Sequence, residues 1–158
     1  IPLVIVSLDN DVVICNDSGL YFEELDFEDL RQPGLNIRTP MNMDRLSDEE
    51  MIDYYSKLIA GLGGKVTAYY LDGIAVYNHG VISSFMDNMA AQKNGLFYMI
   101  DKASSKRFEG WPLDSLSINK ENGKYFVDGS IEESKENIIK DQYQKSVVDF
   151  LIKSLHIA

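Results

Sequence analysis

The sequence predicts an α/β or α+β chain with a mixed β-sheet, and three observations predict it. Short β-prone runs recur along the whole chain. Polar turns with glycine join some of them as hairpins, and two stretches carry apolar residues at helical spacing behind capping signals. The hairpins exclude a purely parallel sheet, and the interleaved helices exclude an all-β one.

Leu3 to Leu8 and Val12 to Cys15 are β-prone runs separated by the polar turn Asp9-Asn10-Asp11, which reads as a hairpin or as two successive strands. The second run leads into Asn16-Asp17-Ser18-Gly19-Leu20. That pattern predicts a buried strand that stops abruptly and leaves the Asp17 carboxylate at its carboxyl end, where open α/β sheets place their ligands. Asp17 is therefore the leading candidate for a metal ligand or general base, with a plain strand-capping turn as the alternative. Tyr21 to Leu30 mixes acids with aromatic and aliphatic residues and closes at Gln32-Pro33-Gly34, where Pro-Gly supplies a turn.

Ser47-Asp48-Glu49-Glu50 is a capping box: Ser47 accepts from the amide three residues on, and Glu50 reaches back. Behind it Met51, Ile52, Tyr55, Leu58, Ile59 and Leu62 follow helical spacing until Gly63-Gly64 stops the helix. Lys65 to Tyr77 alternates, turns at Asn78-His79-Gly80 and returns as Val81 to Met86, an antiparallel hairpin. Leu96 to Ile100 is a further strand. Leu116 to Ile118 and Tyr125 to Val127 flank an Asn-Gly loop as a second hairpin. Ser130-Ile131-Glu132-Glu133 repeats the capping pattern ahead of an amphipathic helix carrying Ile138, Ile139, Val147, Val148, Leu151, Ile152 and Leu155. His79 reads as an exposed turn residue, and His156 as a charge partner for the end of the last helix.

At 158 residues and 45% hydrophobic content, one globular domain spanning 1–158 is expected. No apolar run approaches the roughly 18 residues of a membrane span, and Ile1 to Leu8 lacks the basic flank of a signal peptide, so a cytoplasmic location and no membrane contact are expected. The net charge of −10, from 25 acidic and 15 basic side chains, disfavours a nucleic-acid partner. Lys102, Lys106 and Arg107 still offer a local cation cluster for a phosphorylated small molecule, or simply a solvated loop. The single cysteine, Cys15, reads as a buried reduced thiol. The start at Ile1-Pro2 carries the expectation that an upstream element is missing.

Four segments together resemble the inosine/xanthosine triphosphate pyrophosphatase family: Asn16-Asp17-Ser18-Gly19-Leu20-Tyr21-Phe22, Pro33-Gly34-Leu35-Asn36-Ile37-Arg38, Gly63-Gly64-Lys65-Val66-Thr67-Ala68-Tyr69 and Phe108-Glu109-Gly110-Trp111-Pro112-Leu113-Asp114-Ser115. The resemblance covers residues 12 to 128. It implies an elongated mixed sheet flanked by helices, the ITPase-like (anticodon/Maf-like) architecture. It also implies a homodimer that uses Mg2+ to hydrolyse non-canonical purine nucleoside triphosphates to monophosphate and pyrophosphate. By position Asp17 matches the family's catalytic acid at the metal and water. Ser18 and Gly19 let the backbone pass close to the ligand, Arg38 and Lys65 stand with the substrate-binding set, and Phe108, Gly110 and Trp111 match the block that sandwiches the purine.

The chain departs from the family pattern in three places. No phosphate-cradling Asn/Lys loop precedes Asn16, Lys140-Asp141-Gln142-Tyr143-Gln144 stands where many members carry Ser-His-Arg, and Pro112 precedes Asp114 instead of following an Asp. The expectation is that the phosphate-loop part of the fold is absent from this chain. Two other readings remain open: a catalytically silent nucleotide-binding or dimerisation module, and an acidic interaction protein.

Overall fold

The computed structural model describes residues 12–86, 95–129 and 138–157. The expected run Leu3 to Leu8 with its turn, and the capping pattern at Ser130 to Glu133, lie outside the described residues. The elements are β1 (Val12–Phe22), α1 (Asp48–Gly61), β2 (Lys65–Asn78), β3 (Val81–Met86), β4 (Phe97–Ile100), β5 (Ser117–Ile118) and α2 (Ile138–Leu155), with short 3-10 turns at Pro40–Asn42, Pro112–Ser115 and Phe126–Asp128. Among the described residues the strands form one five-stranded sheet in the order β1-β2-β4-β5, with β3 also on β2. The pairings β2–β3, β2–β4 and β4–β5 are antiparallel.

The chain divides into two compact units. One holds Gly19–Tyr70 and the described part of 95–136; the other holds the described parts of 1–18, 71–94 and 137–158.

The first unit contains the main core. Ser47 starts α1 as the sequence predicts: its hydroxyl accepts the Glu50 N–H, and Glu50 Oε2 accepts the Ser47 N–H at 2.8 Å. Helical spacing then turns Met51, Ile52, Tyr55 and Ile59 to one buried face. Against them stand Val66 and Ala68 of β2 and Phe97 and Met99 of β4, alternate residues whose register pairs Val66 with Met99 and Ala68 with Phe97. Leu20, Phe22, Leu25, Leu113 and Leu116 complete the cluster. Each of the larger aliphatic and Phe side chains contributes about 1.5–3 kcal/mol by leaving water. Gly63 and Gly64, with φ of 103° and 85°, end the helix where an L side chain would be strained.

Residues 23 to 34 form a loop closed at two levels. Leu20 and Gly34 exchange backbone hydrogen bonds, Leu20 N–H to Gly34 O at 3.0 Å and Gly34 N–H to Leu20 O at 2.8 Å. The Gln32 side chain acts as a surrogate backbone. Its Oε1 accepts the Phe22 N–H at 2.9 Å, and its Nε2 donates to Phe22 O at 2.9 Å and Leu25 O at 3.1 Å.

In the second unit, β2 and β3 pair from Gly73↔Met86 to Asn78↔Val81 and are joined by His79-Gly80. Both turn residues have positive φ, 47° and 86°, as a two-residue hairpin turn requires. Helix α2 lies on this hairpin: Phe150 meets Phe85 at 5.6 Å between ring centroids, and Asn78 Nδ2 donates to Ser154 O at 3.0 Å. His156 follows α2 with a φ of 54°.

Three expectations are corrected. β1 does not stop at Cys15 but runs through Asp17, Ser18 and Gly19 to Phe22, so Asp17 lies within a strand. The run Val12 to Cys15 is not buried: Val12 and Ile14 are 47% and 50% exposed, and the Cys15 thiol is half-buried. The second hairpin closes with the single bridge Ile118↔Tyr125, after which Phe126 enters a 3-10 turn and packs on Phe97 at 5.1 Å.

Candidate functional site

Strand pairing straightens the Asp17 segment. Ser18 Oγ donates to Asp72 Oδ1 across β1 and β2, and Asp17 Oδ1 accepts the Ser18 N–H at 2.9 Å. Asp17 is exposed and Ser18 half-buried. Beside it, Gly73 of β2 carries no side chain; a Cβ there would stand 3.9 Å from the Asp17 carbonyl oxygen. Gly19 begins the other unit and is needed for a different reason. Its Cβ would fall 2.7 Å from Cε2 of Tyr21 and 3.3 Å from the Gly34 carbonyl carbon. Tyr21 is itself stacked between Phe27 at 4.9 Å and Tyr69 at 5.7 Å, so the ring has little room to retreat.

Arg38, Phe108, Gly110 and Trp111 meet at the N-terminus of α1. Arg38 and Gly110, 72 residues apart, are joined through Asp48, the first residue of the helix. Arg38 Nη1 donates to Asp48 Oδ1 at 2.9 Å, the Gly110 N–H donates to Asp48 Oδ2 at 2.8 Å, and Arg38 Nη2 donates to Gly110 O at 3.3 Å. The Gly110 N–H, and after it the Arg38 guanidinium, hold the Asp48 carboxyl below its ordinary range. The next acid, Glu49, takes Arg107 Nε at 2.7 Å and Nη2 at 3.4 Å. Between these two anchors stands Phe108, and just beyond them Trp111, 58% and 63% exposed. The Trp111 N–H donates to Phe108 O at 2.9 Å, and Gly110 has a φ of 83°, the left-handed value that a tight turn of type II demands at its third residue. Arg38 is steadied from behind, where Tyr55 Oη donates to Ile37 O at 2.9 Å.

Four other cations are engaged, while for Lys102 only the backbone carbonyl has a partner described, the Tyr125 hydroxyl. Lys65 Nζ sits 4.3 Å from the centroid of the Tyr98 ring and Lys120 Nζ 4.9 Å from it, two cation–π contacts to one ring. Lys106 pairs with Asp128 at 2.5 Å, and Arg107 Nη1 donates to Ser104 O and Lys106 O besides its pairing with Glu49. Burial pushes the Asp114 carboxyl above its ordinary value. A separate cleft of about 540 Å³, lined mainly by Met41, Met43, Leu46, Tyr54 and Leu58, contains none of the predicted site residues.

The surface carrying Phe108 and Trp111 offers two aromatic faces on a braced backbone, suited to a flat heterocycle. Asp17 offers an exposed carboxylate on a strand. Asp48 is the residue of this surface that sequence reasoning passed over. A capping box needs only Ser47 and Glu50, so the two further acids between them were the signal that something else is held there.

No family model and no curated protein matches the sequence. Solved structures do match its fold. The Ham1 protein of Staphylococcus aureus superposes with a TM-score of 0.59 at 20% identity, over 90% of this chain and 67% of that one. A nucleoside-triphosphatase / dITP/XTP pyrophosphatase from Mycobacterium abscessus superposes with a TM-score of 0.56 at 11% identity, over 90% of this chain and 64% of that one. This chain shares their fold and spans about two thirds of their length.

Proposed function

We propose that this chain belongs to a nucleoside triphosphate pyrophosphatase, which hydrolyses non-canonical purine nucleoside triphosphates to the monophosphate and pyrophosphate and so cleans the nucleotide pool. The observation that carries the reading is the meeting of two sequence blocks, Pro33 to Arg38 and Phe108 to Trp111, through one carboxylate, with both aromatics left exposed. The shared fold with a protein named as a dITP/XTP pyrophosphatase supports it.

In this reading Phe108 and Trp111 take the purine by stacking, while Arg38 and Gly110 fix the shape of that surface. Asp17 orients the attacking water and accepts its proton as the α–β anhydride breaks and pyrophosphate leaves. Ser18 and Gly19 contribute backbone close to the substrate, since the Ser18 hydroxyl is already given to Asp72. Lys65 offers its charge to phosphate from above Tyr98.

Mg2+ completes the proposal. Its preference for hard oxygen ligands fits the Asp17 carboxylate. No group of three His, Cys, Asp or Glu side chains able to hold a metal occurs among the described residues, so phosphate oxygens would supply the other ligands, a common arrangement for this ion. Bound there, it would neutralise phosphate charge. We also propose that residues 1–158 act as one nucleotide-handling domain in a cytoplasmic homodimer, a reading that the exposed Leu30, Leu35, Met41 and Met43 support. Among the described residues no helix is long and apolar enough to cross a membrane.

The test is hydrolysis of ITP, XTP, dITP and ATP by the protein with Mg2+, reading pyrophosphate and orthophosphate separately. Pyrophosphate release from the non-canonical purines, slowed about 10²-fold or more in Asp17→Asn, is expected. Full activity of that variant removes Asp17 from the chemistry. Nucleotide binding without turnover, metal supplied, identifies a silent module instead.

A further inference from the structure

The acids of the first turn of α1 divide their work. Glu50 closes the capping box on Ser47, which fully accounts for the start of the helix. Asp48 and Glu49 point elsewhere, to a loop about sixty residues further along the chain. Glu49 makes an ordinary exposed ion pair, with Arg107 and Glu49 side chains 40% and 69% exposed. Asp48 is different in kind. Its two oxygens serve two different segments, one the Arg38 guanidinium and the other the Gly110 amide, and Arg38 returns to the Gly110 carbonyl. Both backbone polar groups of Gly110 are thus engaged by one ion pair, half-buried on both sides at 26% and 34% exposure.

That closed triangle fixes more than a glycine. Gly110 is the third residue of the turn from Phe108 to Trp111, so holding its N–H and C=O fixes the central peptide plane of the turn and the plane that follows it. Trp111 hangs from the second of those planes, and its N–H ties Phe108 O to the same turn at 2.9 Å. Neither ring is packed into the core, so the backbone beneath the pair sets where the two side chains leave the chain.

Resting on the functional reading above, we infer that Asp48 is the positioning residue for base recognition: it holds the Phe108–Trp111 turn against Arg38 so that the aromatic surface is formed before the nucleotide arrives. An unbraced turn would have to be ordered on binding, and the loss would appear in substrate affinity and not in the chemical step.

Trp111 is the single tryptophan of the chain, so the turn reports on itself. The experiment compares wild type, Asp48→Ala and Asp48→Asn, with Asp53→Asn on the exposed Asp53–Lys57 pair as control. Trp111 emission and acrylamide quenching are read without nucleotide, then KM and kcat for ITP. In Asp48→Ala, altered quenching is expected, with KM raised about tenfold and kcat changed less than about threefold. Asp48→Asn keeps an acceptor for the Gly110 N–H and falls between; it also serves if the alanine variant fails to fold. The control matches wild type.

Wild-type quenching and KM in both Asp48 variants overturn the inference, as does a loss confined to kcat. If wild type hydrolyses no nucleotide, the functional reading fails by itself. The quenching comparison then decides the positioning role: a change upholds it, and no change overturns it.

Discussion

The segment around Asp17 and the turn from Phe108 to Trp111 both have turn-forming sequences, yet one is straight and the other bent. At Asp17-Ser18-Gly19 the neighbouring strand supplies the partners, Asp72 for the Ser18 hydroxyl and Thr67 O for the Glu23 N–H a few residues on, and sheet pairing overrides local preference. At Glu109-Gly110 no strand is at hand. The backbone groups go instead to the side chains Asp48 and Arg38, and the turn survives. What decides between the two outcomes is where the backbone hydrogen bonds find partners.

Four changes break or sharpen that contrast. The largest effect is expected from Gly19→Val, which drives a side chain into the stacked Tyr21 ring and the Gly34 backbone. A loss of about 1–3 kcal/mol in chemical denaturation is expected. Stability equal to wild type would mean that the strand tolerates a side chain there and that the close approach is not what holds it straight. Tyr55→Phe comes next. It leaves Ile37 O without its donor beneath Arg38 and costs about 1 kcal/mol; a neutral result would separate the brace from the helix core.

Acid gives a graded test. Asp29 is held down to about 2 by hydrogen bonds from Arg31, and Asp48 is held below its ordinary value by Gly110 and Arg38. Depressed carboxyls stabilise the fold above their unfolded value, and the contribution fades as pH falls through the folded one. For Asp29 that window runs from 3.8 down to about 2. Tm should fall as the pH drops below 3.8, the ordinary value of both carboxyls, and less steeply in Asp48→Asn; parallel curves would deny Asp48 a share. The smallest effect belongs to Arg107→Ala, an exposed pair whose loss costs below about 1 kcal/mol and disappears at high salt.

Legibility followed the same division. Helix α1 and the His79-Gly80 hairpin were readable because their signals are local: a capping box, a stop glycine pair, and a polar turn between alternating runs. The path of β1 was not, since turn residues Asn16 to Gly19 are overruled by strands far away in sequence. At the site, Arg38 and Gly110 could be picked out individually. That Arg38 is a brace, with its guanidinium spread over Asp48, Leu46 O and Gly110 O, could not, because Gly110 lies 72 residues from Arg38 in the sequence.

Gln32 carries a consequence of its own. One carboxamide closes the loop after β1 by presenting an acceptor to Phe22 and donors to Phe22 and Leu25. Hydrolysis of that amide to a carboxylate, the slow covalent ageing to which such side chains are subject, would set an anion against two carbonyl oxygens that need a donor. An old preparation would then hold residues 23 to 34 by the Leu20–Gly34 backbone pair alone, one of the loop's two closures, while its strands still stood.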